Sequence, residues 1–360
     1  MNEKISTTLR QPRQLLAQGL VPAAALPELE NVAARYAVAL TPDVAALIDP
    51  HDPADPIALQ YIPDARELDH DAIDDIDPIG DNAHSPVEGI VHRYPDRVLL
   101  KLVHVCAVYC RFCFRREMVG PGKETALTPD IYARALDYIR THRDIWEVIL
   151  TGGDPLVLSP RRLAEVMRDL AAIDHVRIIR IHTRVPMVDP VRIDAAMAQA
   201  LRVPGATTWL AVHANHAREF TPAARAACAR IVDAGIPVVS QSVLLRGVND
   251  NAEALEALMR AFVECRIKPY YLHHGDLAPG TAHLRLTLAE GQALVRQLRG
   301  RVSGLCQPEF VLDIPGGFGK SPVGPSYLSQ PDGPDADYRV ADYCGELHVY
   351  PPRPQDDTRR

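Results

Sequence analysis

From about residue 98 onward, short apolar runs alternate with longer stretches of helical periodicity. The helical stretches, such as RRLAEVMRDLAAI at 161–173, are typical of helices that cover a core with one face. The apolar runs are rich in Val, Ile and Leu, which favours strands buried on both faces. Six such runs occur, at 98–105, 147–155, 176–184, 207–215, 237–245 and 268–276.

A strand, a helix and a further strand at this spacing predict parallel βαβ units. Six or seven units favour an α/β fold built as a partial or full (β/α) barrel over a small open sheet. Polar residues gather at the carboxyl ends of the runs, which is the edge where parallel α/β folds build their sites. If loops were simply polar, both ends of the runs would be polar, and they are not. We therefore expect the site at that edge.

The flanks of the barrel differ from it in pattern. Residues 1–88 combine helical periodicity with an acidic stretch at 69–86, which predicts a helical extension followed by a solvated linker. Residues 89–325 form the expected barrel core. Residues 326–360 are rich in Pro and Asp, so we expect a C-terminal arm or a disordered tail.

Composition adds few constraints. Apolar residues make up 47% of the chain and charged residues 24%, which is ordinary for a globular protein. The formal net charge of -7 argues against nucleic acid and anionic membranes as partners. The first sixteen residues lack the apolar core of a signal peptide, and no apolar run is long enough to span a bilayer, so we expect a cytoplasmic protein.

The cysteines are unevenly placed. Cys106, Cys110 and Cys113 are clustered, whereas the other four of the seven are scattered, and this pattern does not fit a secreted disulfide framework. We expect the scattered thiols to be buried as small hydrophobes, at Cys228, Cys265, Cys306 and Cys344. The cluster needs a different explanation.

Three thiols this close together can converge on a soft metal centre. Structural zinc usually takes four ligands, generally from two separated CxxC pairs, and the sequence has no second pair. A four-iron cluster normally takes four thiolates, so three would leave one iron open to a substrate or cofactor. The alternative is that buried cysteines fall at this spacing by chance.

At CAVYCRFC the residues resemble the CxxxCxxC signature of the radical S-adenosylmethionine (SAM) enzymes. That resemblance implies a 4Fe–4S cluster on Cys106, Cys110 and Cys113, with SAM on the open iron. TGGDP at 151–155 is similar to the loop that binds the methionine part of SAM in this superfamily, which implies a role for Gly152, Gly153 and Asp154. Read alone, the loop is also compatible with a plain glycine turn.

A lysine lies in a glycine-rich segment near the end of the barrel, DIPGGFGKSP at 313–322. The phosphate-binding P-loop pattern fails there because Ile314 stands where its first glycine is required. A mobile loop with a solvated lysine, or a lysine that forms a Schiff base with pyridoxal phosphate (PLP), are the alternatives. The region 88–325, including HTRVP, VHANH and PGGFGKSPV, resembles the lysine 2,3-aminomutase family, which implies PLP on Lys320.

The same resemblance implies further site residues. Arg115 matches the position that binds the substrate carboxylate, and its planar fork suits a carboxylate. Asp276 and Asp313 match the pair that binds the remote ammonium. The alternatives are local ion pairs for Arg115 and its neighbour Arg116, and capping roles for the aspartates. Four further matches are implied: Arg93 and Arg97 for the PLP phosphate, His213 and Gln241 for SAM. Structural ion pairs are the alternative for the two arginines, and satisfied interior polar groups are the alternative for His213 and Gln241.

The implied reaction is conversion of L-lysine to β-lysine, with electrons from a flavodoxin-type or ferredoxin-type donor. One alternative is the related branch that supplies β-lysine for modification of elongation factor P. Another is a noncatalytic iron–sulfur protein that senses redox state. Asn251 stands where zinc-binding relatives carry a cysteine, and the tail has only Cys344, so we expect a homodimer without bridging zinc rather than a zinc-tied tetramer.

Overall fold

A computed structural model describes residues 7–120, 125–329 and 337–351 of the chain. Its main feature is a nine-stranded sheet in which the strands follow one another in chain order. The strands are β1 (Ile90–Tyr94), β2 (Arg97–Val103), β3 (Glu147–Gly152), β4 (Ile178–Thr183), β5 (Thr207–His213), β6 (Val238–Val243), β7 (Lys268–His273), β8 (Glu309–Ile314) and β9 (Gly319–Pro322). Strands β2 to β8 run parallel, and β1 and β9 are antiparallel edges.

The two edges of the sheet meet at Tyr94. The backbone N–H of Lys320 in β9 donates a hydrogen bond of 2.7 Å to the Tyr94 hydroxyl in β1. Gly319 has φ +92°, and a Cβ there would lie 2.7 Å from the same hydroxyl, so this contact requires glycine. The sheet is thus a nearly closed barrel, and the predicted α/β barrel is confirmed.

Helices cover the outside of the barrel and form the N-terminal extension. They are α1 (Pro12–Ala17), α2 (Leu26–Arg35), α3 (Pro42–Ala45), α4 (Ala58–Tyr61), α5 (Pro129–Thr141), α6 (Pro160–Ala171), α7 (Val185–Val188), α8 (Ala195–Ala200), α9 (Pro222–Asp233), α10 (Ala252–Glu264) and α11 (Leu288–Leu298). The expected helical stretches between the six predicted strands are α5, α6, α8, α9 and α10.

Several of these helices start with the same local signal. A Ser or Thr hydroxyl accepts a backbone N–H of the first turn, and proline follows it at the first helical position, in α3, α5, α6 and α9. This arrangement is favourable because proline has no N–H to leave unsatisfied there. In α6 the buried residues then recur at helical spacing, Leu163, Val166, Met167 and Leu170. Periodicity predicted α5, α6 and α9, and the capping groups in the structure mark where these helices begin.

The N-terminal extension packs against the cysteine segment. The N–H groups of Tyr109 and Arg111 donate to the carbonyls of Ala39 at 3.1 Å and Gln60 at 2.8 Å. The completely buried Glu67 accepts hydrogen bonds from the guanidinium groups of Arg111 and Arg116. The extension therefore fixes the backbone that carries the cysteines.

The acidic stretch at 69–86 is only partly the solvated linker that we expected. Its first residues are exposed, whereas residues 78–81 are buried. A Cβ on Gly80 would lie 2.5 Å from the backbone nitrogen of Gly317, so the stretch is pressed against the glycine loop before Lys320. The prediction is wrong for this second half, because the barrel mouth buries it.

The described part of the C-terminal segment forms a small antiparallel sheet. Its strands are β10 (Leu328–Ser329), β11 (Tyr338–Ala341) and β12 (Leu347–Tyr350), while 330–336 and 352–360 lie outside the described residues. Cys344 is exposed, so the prediction that it is buried is wrong, whereas Cys228, Cys265 and Cys306 are buried. Among the described residues, no helix combines the length and apolarity that a membrane span needs.

Replacing Glu67 with glutamine tests the link between the extension and the barrel. The Glu67→Gln variant leaves two buried guanidinium groups without their anion, so the free energy of unfolding should fall by about 3–5 kcal/mol. Chemical denaturation followed by circular dichroism measures it. Glu264→Gln is the matched control, because its ion pair with Arg225 is exposed and should be worth at most about 1 kcal/mol. Equal losses in the two variants would contradict the assignment.

Candidate active site

The cysteine loop follows β2 at the carboxyl edge of the barrel. Cys106, Cys110 and Cys113 are each partly exposed and unpaired. Burial raises the pKa of all three thiols, that of Cys110 to about 11. They are therefore protonated at neutral pH and would release protons on binding a metal.

The cysteine loop offers three free thiols to a metal centre. Within residues 7–120, 125–329 and 337–351, no three His, Cys, Asp or Glu side chains are placed to hold one metal ion. A four-iron cluster binds each thiolate on a different iron, so its ligands need not converge on one point.

Buried nitrogen atoms without a partner also surround this edge. In the described part of the chain, the side-chain nitrogens Arg93 Nε, His182 Nε2 and Arg184 Nε are buried and make no hydrogen bond. An unsatisfied buried polar group costs about 1–3 kcal/mol, so such groups usually face a ligand or water. Their presence at this edge fits the binding of polar cofactors.

The glycine loop after β3 lies directly against the segment that leads to Cys106. The N–H groups of Gly153 and Asp154 donate to the carbonyls of Val103 at 2.5 Å and Val105 at 3.0 Å. A Cβ on Gly153 would overlap the Val105 backbone, so a side chain there would push the two segments apart. Gly153 therefore allows the glycine loop to pack closely against the segment that leads to Cys106.

The Asp154 carboxylate ties the same loop to the end of β4. It accepts hydrogen bonds from the Thr183 hydroxyl at 2.7 Å, the Arg184 N–H at 2.6 Å and the Leu156 N–H at 3.0 Å. Burial raises its pKa. A direct contact of Asp154 with SAM stays a prediction, and the structure gives this carboxylate a bracing role besides.

His213 and Gln241 are neighbours across β5 and β6, where they pair in register. Their side chains are hydrogen-bonded, yet burial lowers the pKa of His213 to about 3, so the imidazole is neutral. The His182 ring lies beside His213, with centroids 6.3 Å apart. The two predicted SAM contacts are thus at one place in the barrel, and His182 joins them.

The hairpin of β8 and β9 explains the spacing between Asp313 and Lys320. The two residues face each other in the antiparallel register, and the Lys320 ammonium forms an ion pair with the Asp313 carboxylate. His273 Nδ1 lies 3.3 Å from the other carboxylate oxygen. Burial alone would raise the pKa of Asp313, but His273 and Lys320 outweigh it and hold the pKa below its usual value.

Asp276 joins this group from the loop after β7. Burial and the nearby Asp313 raise its pKa to about 7, against the opposing effect of Lys320 and Arg115. The two carboxyl groups therefore differ: Asp313 is ionised, and Asp276 is poised to gain or lose a proton near neutral pH. A further cation placed beside them would favour the ionised form of Asp276.

Arg115 is held by a residue that sequence analysis missed. Its Nε and Nη2 donate to Asp81 Oδ2 at 3.1 and 2.9 Å, and Arg93 Nη2 donates to Asp81 Oδ1 at 3.3 Å. Burial alone would raise the pKa of Asp81, but Arg115, the buried Lys101 and Arg93 lower it. Asp81 had been placed in the solvated linker. The apolar residues Pro78 and Ile79, just before it, were a signal that this part of the acidic stretch packs against the barrel.

Arg97 and Arg116 both form ion pairs with acidic side chains of the chain itself. Arg97 pairs with its neighbour Asp96 at 2.6 Å, and its guanidinium lies 3.8 Å from the centre of the Tyr94 ring. A phosphate contact of Arg97 therefore stays a prediction. Arg116 forms the ion pair that we considered for it, but its partner Glu67 belongs to the extension and not to the loop.

Comparisons with known proteins agree with this site. The Radical SAM superfamily matches residues 100–259, which include the cysteine loop and the glycine loop. Barrel, cysteines and match together define a radical SAM enzyme, a class that carries a 4Fe–4S cluster and SAM.

Individual relatives that match most of the chain identify the family within the radical SAM enzymes. The L-lysine 2,3-aminomutase of Clostridium subterminale is 42% identical over 291 residues, which cover 81% of this chain and 70% of that protein. A putative L-lysine 2,3-aminomutase of Aquifex aeolicus is 40% identical over 312 residues, covering 86% and 84%. Glutamate 2,3-aminomutase of Clostridioides difficile is 34% identical over 300 residues, covering 83% and 70%.

The chain belongs to the lysine 2,3-aminomutase family. The resemblance read from its motifs is confirmed, and the chain is a radical SAM aminomutase, an isomerase of a small-molecule substrate. The roles of single residues, including Arg93, Arg97 and the glycine loop, stay predictions.

Asn251, which stands where zinc-binding relatives carry a cysteine, caps α10 by accepting the Ala254 N–H at 2.8 Å.

The raised pKa of Asp276 predicts a pH-dependent stability. Between about pH 4 and pH 7 the folded chain holds a proton on Asp276 that the unfolded chain has lost, so this residue destabilises the fold increasingly as the pH rises. The Asp276→Asn variant removes the effect. We expect its melting temperature to rise relative to that of the unmodified protein between about pH 4 and pH 7, and the difference to level off above.

Differential scanning fluorimetry across this range measures the difference. The charged groups around Asp276 are Asp313, Lys320, Arg115 and Arg285, and they are unchanged in the variant. Glu264→Gln is the control and should show a constant difference. A constant difference in Asp276→Asn as well would show that Asp276 titrates as an ordinary carboxyl.

Proposed function

We propose that this chain converts L-lysine to β-lysine by moving the α-amino group to the β-carbon, with PLP on Lys320. The observation that carries the proposal is the pair of carboxyl groups, Asp276 and Asp313, beside Lys320. Two acidic groups at one end of the site suit a substrate whose side chain ends in an ammonium.

The charge layout separates lysine from glutamate as a substrate. A cation about 4 Å from a carboxylate gains about 4 kcal/mol at an effective dielectric constant of 20, before desolvation is subtracted. An anionic side chain would instead be repelled by Asp313 and would favour protonation of Asp276. Lysine is therefore the better match, although the family also contains a protein named glutamate 2,3-aminomutase.

The residues present also fit PLP. The Lys320 side chain is about 29% exposed at the barrel mouth, and Arg93 has the buried Nε without a partner among the described residues. PLP, when bound, would supply a C=N double bond through which nitrogen could move between neighbouring carbons, while the cluster and SAM would supply the radical. The glycines before Lys320 allow a close contact with the protein and not with a cofactor. A Cβ on Gly317 would lie 2.7 Å from the His84 side chain.

The side chains of the site are already neutralised in pairs. Arg115 pairs with Asp81, and Asp313 pairs with Lys320. A lysine substrate would exchange both pairs, because its carboxylate can replace Asp81 on Arg115 and its ammonium can replace that of Lys320 on Asp313. The displaced Asp81 would keep its pair with Arg93, and the displaced Lys320 side chain is partly exposed, so neither group need be buried without a partner.

A substrate panel tests the proposal directly. The protein is reconstituted without oxygen with iron, sulfide, PLP and SAM, reduced, and incubated in parallel with lysine, glutamate, arginine and alanine. We expect β-lysine alone, identified by mass spectrometry against standards. The Lys320→Ala variant should keep its cluster but lose the PLP that borohydride otherwise fixes to the chain.

Two other outcomes of the substrate panel would contradict the proposal. Turnover of glutamate or arginine would show that Asp276 and Asp313 do not bind the side-chain ammonium. An intact cluster with no turnover of any amino acid, and no PLP fixed on Lys320, would favour the noncatalytic iron–sulfur protein.

The role of Arg115 has its own test. The Arg115→Lys variant keeps the charge but loses the planar fork, so kcat/KM for lysine should fall about 10–100-fold, as for loss of one hydrogen bond to a charged group. Initial rates under the same conditions measure the loss. Arg225→Lys is the control on the exposed surface and should be unchanged. A normal kcat/KM in Arg115→Lys would remove this residue from the carboxylate site.

A further inference from the structure

A buried arginine beside the cysteine loop has no role in the proposal above. Arg184 follows β4, and its Nη1 lies 3.7 Å from Cys110 Sγ, within the range of a hydrogen bond to sulfur. Its Nη2 donates to Gln60 Oε1 at 2.7 Å and to Glu219 Oε2 at 2.8 Å. The guanidinium thus links a cluster cysteine to a buried polar network.

The position of Arg184 is fixed before any cofactor binds. Its own N–H donates to Asp154, and its partner Glu219 is held by the N–H groups of Asn215 at 2.7 Å and His216 at 2.9 Å. The Phe112 ring lies 5.2 Å from the guanidinium. Such bracing lowers the cost of keeping a long side chain in one geometry.

Arg184 also keeps its charge. Burial alone would lower its pKa, but the Glu219 carboxylate outweighs burial and raises the pKa above the ordinary arginine value. The cation therefore stands against Cys110 at every pH at which the protein is folded. A charge-assisted donor of this kind interacts more strongly with an electron-rich sulfur than a neutral donor does.

We propose that Arg184 raises the reduction potential of the iron–sulfur cluster through its hydrogen bond to the Cys110 sulfur. Reduction adds one electron, supplied by a low-potential one-electron donor, and breaks no bond. The added negative charge spreads over the cysteine sulfurs, so a cationic donor stabilises the reduced form more than the oxidised form. The inference rests on the cluster of the family and is independent of which amino acid is the substrate.

Two variants of Arg184 test this inference. Arg184→Met removes the charge and the donors, and Arg184→Lys keeps the charge but cannot reach Cys110, Gln60 and Glu219 together. Each holoprotein is titrated with dithionite without oxygen, SAM or substrate, and the reduced cluster is followed by electron paramagnetic resonance. At the midpoint of the unmodified protein, the ratio of reduced to oxidised cluster should fall about tenfold in Arg184→Met, a shift of about 59 mV for one electron. Arg184→Lys should lie between.

Two control variants separate tuning from support of the fold. Arg180→Met removes a positive charge from the same strand, where Arg180 pairs with Glu147 at 3.0 Å, and should leave the midpoint unchanged. Glu219→Gln removes the anion that offsets Arg184 and should shift the midpoint in the opposite direction, to less negative values. A residue that only braces the fold would not give shifts of opposite sign.

Iron and sulfide content are measured for every variant. An unchanged midpoint in Arg184→Met with a full cluster would overturn the inference. An equal shift in Arg180→Met would also overturn it, because the effect would then be one of overall charge. Loss of the cluster from both Arg184 variants would overturn it as well, since Arg184 would then anchor the loop and not tune the potential.

Discussion

The buried ion pairs of Glu67 with Arg111 and Arg116 are the constraint on which the rest of the site depends. Glu67 belongs to the N-terminal extension, whereas both arginines belong to the cysteine loop. A buried charge without its partner costs several kcal/mol, so the extension and the loop must come together as one unit. The loop thereby acquires a fixed backbone, and the glycine loop and Arg184 can be placed against it.

The same reasoning applies to the charged groups around Asp81 and Lys320. Asp81 comes from the extension and neutralises Arg93 and Arg115, while Asp313 neutralises Lys320 within one hairpin. These ion pairs bring charged groups from different parts of the chain to one mouth of the barrel. The lysine substrate that we propose would take over two of these pairs.

Much of the fold could be predicted because its signals are local. Helix periodicity and Ser/Thr-Pro starts identify α5, α6 and α9, and the cysteines and Lys320 stand in short motifs. Asp81 and Glu67 could not be found in this way, since their arginine partners lie 34 and 44 residues away and no period links them. The antiparallel edge strands β1 and β9 were not predicted either. The sequence of a strand does not show that it lies at the edge of a sheet, because that depends on which other strands pair with it.

The seam of the barrel is closed through the main chain of Lys320 and not through its side chain. The side chain of residue 320 is therefore not needed to close the seam, because the backbone N–H makes the bond to Tyr94. Architecture and chemistry at this position are separable. A barrel closed in this way keeps its seam whichever side chain stands at position 320.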